Sequence, residues 1–296
     1  MDKKEKVAAV VVTYNRKALL VETLPALLGQ TRALDALFVI DNASTDGTEE
    51  AVRPFLEESD IIVYKRLPQN IGGAGGFCEG IRAAYDAGFD YIWGMDDDAV
   101  PAPDALAVLM TAKAAFSPKT VMWSNIVMHD EAGVPVVHWR AFSVPVQEER
   151  GFTFVGFLIP RQLVTDIGLP RADLFILYDE VDYSRKAVSR CYKIIRCRDS
   201  KIYHPYINSV ESRKCLGIKI NILRMANWKW YYFIRNGILI YSWQERQRYR
   251  VILLTFWILL KSLLVDRANL KMIIRGTVDG ILGKAGRRDF APPKKS

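Results

Sequence analysis

Cysteine and long apolar runs are both scarce in this chain of 296 residues. The chain has four cysteines: Cys78, Cys191, Cys197 and Cys215. No pair has C-x-x-C spacing, which argues against a disulfide scaffold or a zinc site and favours reduced, mostly buried thiols, as in cytosolic proteins. One strongly apolar segment, Val251–Val265, has only 15 residues and contains Lys261. A membrane-spanning helix needs about 20 apolar residues, so this segment is too short for one.

Glycine signatures for phosphate binding are missing as well. No G-x-G-x-x-G follows the first predicted strand, which disfavours an NAD-dependent enzyme. No Gly-Lys-Ser/Thr occurs, which argues against a P-loop. Residues 1–6 are charged and run directly into a strand-like segment, so we expect no signal peptide.

Positive charge is concentrated towards the C-terminus. Residues 213–296 carry a net charge of +14, whereas residues 1–212 carry −6. The length suffices for one large α/β domain and a smaller appendage. We therefore predict an α/β domain over residues 1–212 and a helical, basic, aromatic-rich region over residues 213–296.

Strands and helices alternate along the first hundred residues. Apolar runs predict strands over Val7–Val12, Leu37–Ile40, Ile61–Arg66 and Asp90–Met95. Helices are predicted between them, over Ala18–Leu28, over Gly47–Leu56 with Asp46 as N-cap, and from the glycine cluster to Ala87. This order predicts a parallel sheet with helices on both faces and a ligand site outside the carboxyl ends of its strands.

The pattern is more mixed after residue 99. Strands are predicted over Val121–Met128, Val136–Phe142, Phe152–Ile159 and Lys193–Arg198. Helices are predicted over Asp104–Ala115, Arg161–Ile167 and Asp182–Ser189. No internal repeat is visible.

Three adjacent carboxylates, Asp96-Asp97-Asp98, directly follow the fourth strand. Such carboxylates repel one another, and a divalent cation resolves that repulsion. Mg²⁺ and Mn²⁺ favour oxygen ligands together with substrate phosphates, so the triplet indicates a metal and phosphate site. The alternative is a solvated acidic turn in which Asp98 caps the next helix.

Other polar segments each have a structural and a functional interpretation. The glycines of Asn70–Gly76 would let a ligand approach the backbone closely, or would form a tight turn between strand and helix. The carboxylates of Asp179–Asp182 precede a basic helix, where they would cap the helix or supply a general base. A lone histidine such as His204 is more often structural, and His129 and His138 are interpreted as structural as well.

Five segments form a series that is more specific than any one of them: Val10–Arg16, Gln30-Thr31, Val39–Thr48, Asn70–Phe77 and Met95–Asp98. The series resembles family 2 glycosyltransferases of the GT-A fold, an α/β fold with a Rossmann-like mixed sheet. The last two segments are similar to the subgroup that contains galactofuranosyltransferases and rhamnosyltransferases of cell-surface polysaccharides. The resemblance covers roughly residues 6–240.

The resemblance implies a nucleotide-sugar site at the strand ends. Thr13 and Asp41 would contact the nucleobase and ribose, and the Asn70–Gly76 segment would lie against the donor. The candidate substrate-binding residues of the whole chain are Thr13, Asn15, Arg16, Asp41, Asn70, Gly72, Gly73, Asp96, Asp97, Trp123 and Trp139. Asp96 and Asp98, with His204 as the third protein ligand, would hold Mn²⁺ or Mg²⁺.

The resemblance also implies one carboxylate base, which is usually Asp in the family. The best match here is Glu180, with Asp179 beside it as the competing residue. The base would activate the acceptor hydroxyl for in-line attack with inversion, while the metal neutralises the departing diphosphate. Trp123, Trp139 and Phe157 are candidates for stacking on a sugar, although core packing is commoner for such side chains.

The resemblance names UDP-galactofuranose as first donor and dTDP-rhamnose as second, with a lipid-linked glycan or cell-surface polysaccharide as acceptor. One competing hypothesis is a catalytically silent nucleotide-sugar-binding scaffold of the same fold. Another is a phosphatase or a nucleotidyltransferase, although the latter would have a glycine-rich loop where Thr13–Arg16 stands.

The basic C-terminal region leaves three interpretations open. Asn227–Asn236 interleaves aromatic and cationic side chains, and Val251–Val265 is typical of an interfacial or domain-packing helix. An anionic membrane surface would attract these cations, which would make the protein cytoplasmic and peripheral at the inner face of the plasma membrane. The alternatives are core packing or homo-oligomerisation, and nucleic-acid binding, which we do not expect because no such motif is visible.

Overall fold

The computed structural model describes residues 4–130, 136, 143–205, 210–215, 218–241, 245–265 and 267–290. The chain divides into two compact units. The first contains Met1–Ala172 and Glu180–Tyr206, and the second contains Asp173–Asp179 and Ile207–Ser296. The boundary between residues 212 and 213 stays a prediction, and nothing in the sequence indicates that residues 173–179 belong with the C-terminal part.

The first unit is built on one mixed sheet. Its described strands are β1 (Val7–Thr13), β2 (Ala36–Asp41), β3 (Ile62–Arg66), β4 (Tyr91–Asp96), β5 (Val100–Pro101), β6 (Thr120–His129), β7 (Val146–Glu149), β8 (Phe157–Pro160) and β9 (Lys193–Pro205). Their order is β3-β2-β1-β4-β8-β6-β9-β5, and β7 pairs with β9. The first four strands run parallel, as predicted, whereas β8 lies antiparallel between β4 and β6.

Helices cover both faces of this sheet. They are α1 (Lys17–Leu28), α2 (Thr48–Glu58), α3 (Gly72–Asp86), α4 (Ala105–Lys113), α5 (Arg161–Ile167) and α6 (Asp179–Ser189). Alternate residues of β1 belong to two different buried clusters, because successive side chains of a strand point to opposite faces. One cluster contains side chains of α1 and the other contains side chains of α3, which confirms the predicted helices on both faces.

Helix α3 lies close to the sheet because glycines face β1. A Cβ atom on Gly76 would overlap Val12, and one on Gly80 would overlap Val10. The glycine cluster is therefore part of the helix, which begins at Gly72, and the predicted strand-to-helix turn over Asn70–Gly76 is corrected. Close packing outweighs the poor helix propensity of glycine here.

Two predicted helix starts were wrong. Gly47, with a φ of 84°, occupies the N-cap position of α2 that Asp46 was expected to fill. Asp46 instead accepts hydrogen bonds from the backbone N–H of Lys17 at 3.0 Å and the Thr48 hydroxyl at 2.5 Å. Helix α6 begins at Asp179, three residues before the predicted start, so the acidic run is helical.

Strand ends also differ from the predictions. The strand expected over Phe152–Ile159 begins only at Phe157, and the residues before it are irregular. Strand β9 continues to Pro205, well beyond the predicted end at Arg198. The strand expected over Val136–Phe142 lies outside the described residues except for Val136.

The described residues of the second unit form a hairpin and three α-helices. Its elements are β10 (Val210–Cys215), β11 (Ile218–Leu223), α7 (Asn227–Tyr241), α8 (Glu245–Val265) and α9 (Leu270–Ile281). Helix α7 packs on α9, where the Tyr231 hydroxyl donates to Asp279 at 2.7 Å. No helix in the described part of the chain has the length and apolar character needed to cross a membrane.

Candidate active site

The loops after β1 and β2 are locked together at the carboxyl ends of these strands. Asn15 and Ala43 adopt left-handed φ angles of 53° and 62°, which Asn tolerates better than Ala. The backbone N–H of Asn15 donates to the Ser44 hydroxyl at 2.9 Å, and the Asn15 side-chain oxygen accepts from the N–H of Thr45 at 2.7 Å. The predicted site is therefore framed by two loops that brace each other.

Thr13 and Arg16 meet the acidic turn that follows β4. The Thr13 hydroxyl donates to Asp97 Oδ2 at 2.7 Å. The Arg16 guanidinium bridges Asp97 and Asp98, at 2.8 Å from each carboxylate. Burial raises the pKa of Asp97 although Thr13 and Arg16 act in the opposite direction. Asp97 thus serves inside the protein as the anchor of the β1 loop.

Asp96, Asp98 and His204 form a cluster suited to a metal ion. One ligand atom from each lies within 4.8 Å of the other two. Strand β5 brings them together, because Val100 pairs with Tyr203 directly beside the histidine. Nδ1 of His204 lies 2.9 Å from the Pro205 carbonyl oxygen, which can only accept. Nδ1 therefore carries the hydrogen, and Nε2 of the neutral ring is left with a lone pair for a metal.

Burial and the neighbouring charges shift the pKa values of Asp96, Asp98 and His204. Burial, followed by the neighbouring carboxylates of Asp98 and Asp97, raises the pKa of Asp96 to about 7. For Asp98, burial raises the pKa, but His204 and Arg16 outweigh it and the net pKa is lowered. Burial acts to lower the pKa of His204, yet Asp98 raises it overall.

The donor atoms fit a divalent cation. Asp98 Oδ1 is buried and has no hydrogen-bond partner among the described residues, although His204 Nε2 lies 3.3 Å away. Two carboxylates and one imidazole suit Mn²⁺, and the oxygen ligands also suit Mg²⁺. The predicted set of three protein ligands is therefore brought together.

Asp41 is fully buried at the end of β2. Its carboxylate accepts from the N–H of Ser44 at 2.8 Å and from the Tyr64 hydroxyl at 2.5 Å. Burial and then this hydrogen bond raise the pKa of Tyr64. Asp41 therefore shapes the β2 loop, and its contact with a nucleotide stays a prediction.

Arg66 and Asn42 were not among the predicted site residues, although both contact the segments at the strand ends. Arg66 ends β3 at the same edge of the sheet as Thr13 and donates to the Ser44 carbonyl at 3.0 Å. Its place at the end of the third strand was the available signal. Asn42 donates to the Gly72 carbonyl at 3.1 Å and so ties the β2 loop to the start of α3.

The predicted donor-facing glycines lie in the first turn of α3. The Asn70 side-chain oxygen accepts from the N–H of Gly72 at 2.8 Å. A Cβ atom on Gly73 would meet no described atom within 4 Å. Gly73 thus offers open space beside the backbone, and its contact with a donor stays a prediction.

The two candidate bases occupy the first turn of α6. Asp179 is 6% exposed, whereas Glu180 is partly exposed. A base must reach the acceptor hydroxyl, so the more accessible carboxylate is the better placed of the two.

Two of the three candidates for stacking on a sugar are buried aromatic side chains. Trp123 is 3% exposed, and its ring nitrogen donates to the Val155 carbonyl at 2.9 Å. Phe157 is fully buried as well. Neither ring has a free face for a sugar, so their burial favours packing over the predicted stacking role of Trp123. Trp139 lies outside the described residues.

Comparisons with known proteins identify the family of this chain. The family model "Glycosyl transferase family 2" matches residues 8–166. Galactofuranosyltransferase GlfT1 of Mycobacterium tuberculosis (strain H37Rv) is 34% identical over 218 residues, 68% of this chain and 70% of that protein. GlfT1 of Mycolicibacterium smegmatis is 30% identical over 218 residues, 68% of this chain and 71% of that protein.

Solved structures extend the likeness to the fold. Mannosyltransferase PcManGT from Pyrobaculum calidifontis, in complex with GDP-Man and Mn²⁺, superposes with a TM-score of 0.59. The match covers 95% of this chain and 76% of that chain, at 16% sequence identity. At such an identity the comparison bears on architecture alone.

Proposed function

This chain belongs to glycosyl transferase family 2, and from that premise we propose that it transfers galactofuranose from UDP-galactofuranose to a glycan hydroxyl. The chain is a glycosyltransferase, and the predicted GT-A fold is confirmed. The cluster of Asp96, Asp98 and His204 beside Arg16 at the strand ends supports this proposal. Its position agrees with the rule that ligands bind outside the carboxyl ends of such strands.

The metal would be Mn²⁺ or Mg²⁺, held by Asp96, Asp98 and His204. Bound there, it supplies positive charge that offsets the negative charge of the departing diphosphate. Arg16 keeps two of the neighbouring carboxylates oriented, since its guanidinium contacts Asp97 and Asp98 together. Thr13 holds Asp97 in the same arrangement.

Glu180 is the proposed base. It takes the proton from the attacking acceptor hydroxyl as the new glycosidic bond forms and the bond from the sugar to the diphosphate breaks. One displacement of this kind inverts the anomeric centre. The greater exposure of Glu180 than of Asp179 supports this choice.

The acceptor proposed is a lipid-linked glycan or cell-surface polysaccharide, reached at the cytoplasmic side of an anionic membrane. Helix α8 supports this part of the proposal. Its apolar side chains Leu253, Phe256 and Trp257 are 66%, 62% and 54% exposed. Exposed Arg250 lies on the same helix, and this pairing of apolar and cationic side chains suits an anionic lipid surface.

A transfer assay tests the proposed reaction. Purified protein with Mn²⁺ is given UDP-galactofuranose, UDP-galactopyranose or dTDP-rhamnose and a panel of octyl glycosides, and the anomeric configuration of the product is read by NMR. We expect galactofuranose to be transferred with inversion. Transfer from dTDP-rhamnose alone would identify dTDP-rhamnose, and not UDP-galactofuranose, as the donor. Donor binding without transfer to any acceptor would favour the catalytically silent scaffold.

Variants in the same assay test the base. Glu180→Gln should lower kcat by about 100-fold or more, the range expected for loss of a general base. Asp179→Asn should retain most activity, and Glu58→Gln on exposed α2 surface is the matched control. The reverse result for Asp179 and Glu180 would transfer the role of base to Asp179.

A further inference from the structure

The segment of residues 174–178, which leads into the candidate base Glu180, has an unusual backbone. Phe175, Leu177 and Tyr178 adopt positive φ angles of 67°, 67° and 70°. Residues with a Cβ rarely adopt this left-handed conformation, and bulky residues are outliers there. The segment therefore does not take this shape by its own preference. Strained backbone of this kind is concentrated at functional sites, where the surrounding structure imposes it.

Asn236 of α7 imposes much of this shape. The residue is fully buried. Its side-chain Nδ2 donates to the carbonyl oxygens of Leu174, Ile176 and Leu177 at 3.0, 2.9 and 2.9 Å. An amide nitrogen has two hydrogens, so three acceptors use its donor capacity completely. One side chain thus fixes three of the peptide groups in a segment of five residues, 174–178.

Arg235 orients that amide and holds the segment as well. Its Nε donates to Asn236 Oδ1 at 2.8 Å, which turns Nδ2 towards the segment. Its Nη2 donates to the Leu174 carbonyl at 2.9 Å. The guanidinium lies 4.8 Å from the centre of the Tyr232 ring, on which the Phe175 ring also stacks at 5.0 Å.

Burial of Arg235 is a costly way to stabilise a helix. Its side chain is fully buried, and a buried cation loses its hydration. Arg235 donates hydrogen bonds to the carbonyls of Leu174 and Gly286, both of which lie outside the α-helices and strands. An apolar side chain would pack here without that cost, which points to a role beyond packing.

The shaped segment runs directly into α6. Tyr178 is followed by Asp179 and Glu180, the first two residues of that helix. The direction in which a first turn presents its side chains depends on the backbone that precedes it. Restraint of φ at Leu177 and Tyr178 therefore fixes the backbone that enters the first turn of α6, which carries Glu180.

We propose that Arg235 and Asn236 are positioning residues for Glu180, because they hold residues 174–178 in the strained conformation from which α6 presents its base. The proposal rests on the proposed function, since it takes Glu180 as the base. It assigns no contact between these two residues and the substrate. Their effect on the reaction passes through the backbone of the segment.

A double-mutant cycle tests the proposal in the full-length protein. Asn236→Ala should lower kcat by about 10–100-fold, the loss expected when a catalytic group is displaced by roughly 1 Å. The affinity for UDP in Mn²⁺, measured by calorimetry, should change by less than about twofold, because donor binding does not use the base. In a Glu180→Gln background, Asn236→Ala should cause no further loss of kcat.

The matched control is Asn227→Ala, which removes a 2.7 Å hydrogen bond from the same helix to the Ala268 carbonyl. It should leave kcat unchanged. Arg235→Lys, which keeps the charge but loses the planar fork, should repeat the effect of Asn236→Ala and serves if that variant fails to fold.

Losses that multiply in the double variant, or a UDP affinity that falls together with kcat, would overturn the proposal. Full activity of Glu180→Gln would refute the base assignment itself. That result is read from a different variant, so the two failures are distinguishable.

Discussion

His204 shows at the scale of single side chains why the site is hard to read from local sequence. Nothing near it in the chain marks it as a ligand, and a lone histidine is usually structural. Its place beside Asp98 follows from the pairing of β5 with β9. Its tautomer is set by the Pro205 carbonyl. The acidic triplet could be recognised from its own composition, whereas the histidine was found only through the family resemblance.

Metal affinity should depend on pH through Asp96. Its folded-state pKa is raised to about 7, so a bound proton competes with the metal below that pH. The raised pKa of His204 acts in the same direction, because a protonated ring cannot bind a cation. We expect the apparent affinity for Mn²⁺ to fall about tenfold from pH 8 to pH 6, measured by calorimetry.

Asp96→Asn is the control for this titration. It should bind Mn²⁺ weakly and show a smaller pH dependence, because only His204 then titrates in this range. An affinity for Mn²⁺ that is the same at pH 6 and pH 8 in the unmodified protein would contradict the arrangement of charges described above.

At the scale of elements, local patterns predicted the first half of the first unit well. Strands β1 to β4 are apolar runs bounded by polar residues, and α1 has a clear helical repeat, so each can be read from its own residues. Strand β5 has two residues and exists only through its pairing with β9. The glycine-rich start of α3 is set by contact with β1, which a local propensity does not contain.

Gly76 and Gly73 give a matched test of that packing. Gly76→Ala should lower the free energy of unfolding by about 1–3 kcal/mol, because its methyl group would overlap Val12. Gly73→Ala should be neutral or stabilise by up to about 1 kcal/mol, since its methyl group enters open space in a helix. Urea denaturation measures both changes.

The same pair separates packing from donor contact. If Gly73 lies against the donor, Gly73→Ala weakens nucleotide-sugar binding while stability is kept. Unchanged donor affinity would remove Gly73 from the binding site. Equal destabilisation by the two substitutions would contradict the close approach of α3 to β1.

At the scale of the whole molecule, the charge asymmetry and the exposed face of α8 favour attachment to an anionic surface. We expect the protein to float with vesicles that contain phosphatidylglycerol and to stay unbound with phosphatidylcholine alone. Phe256→Glu with Trp257→Glu should weaken this binding, because it removes apolar area and adds negative charge.

Val63→Glu is the matched control, since it changes an apolar residue with 45% exposure on β3. It should leave vesicle binding unchanged. Binding that survives the double substitution on α8 would contradict the membrane proposal. Self-association of the protein that the double substitution abolishes would assign the face to a homo-oligomer instead.

The proposed function requires that Asp96, Asp98 and His204 hold the metal through which the donor is bound. Calorimetric titration of UDP-galactofuranose, with Mn²⁺ or with EDTA, tests it most directly in the unmodified protein, His204→Ala and His129→Ala. We expect binding to require Mn²⁺ and to weaken by about 100-fold or more in His204→Ala, at least the loss caused by removing an outer-shell partner. His129→Ala, at a partly exposed position outside the Asp96, Asp98 and His204 cluster, should bind like the unmodified protein. Equal binding in EDTA, or unchanged binding by His204→Ala, would contradict a metal site formed by these three residues.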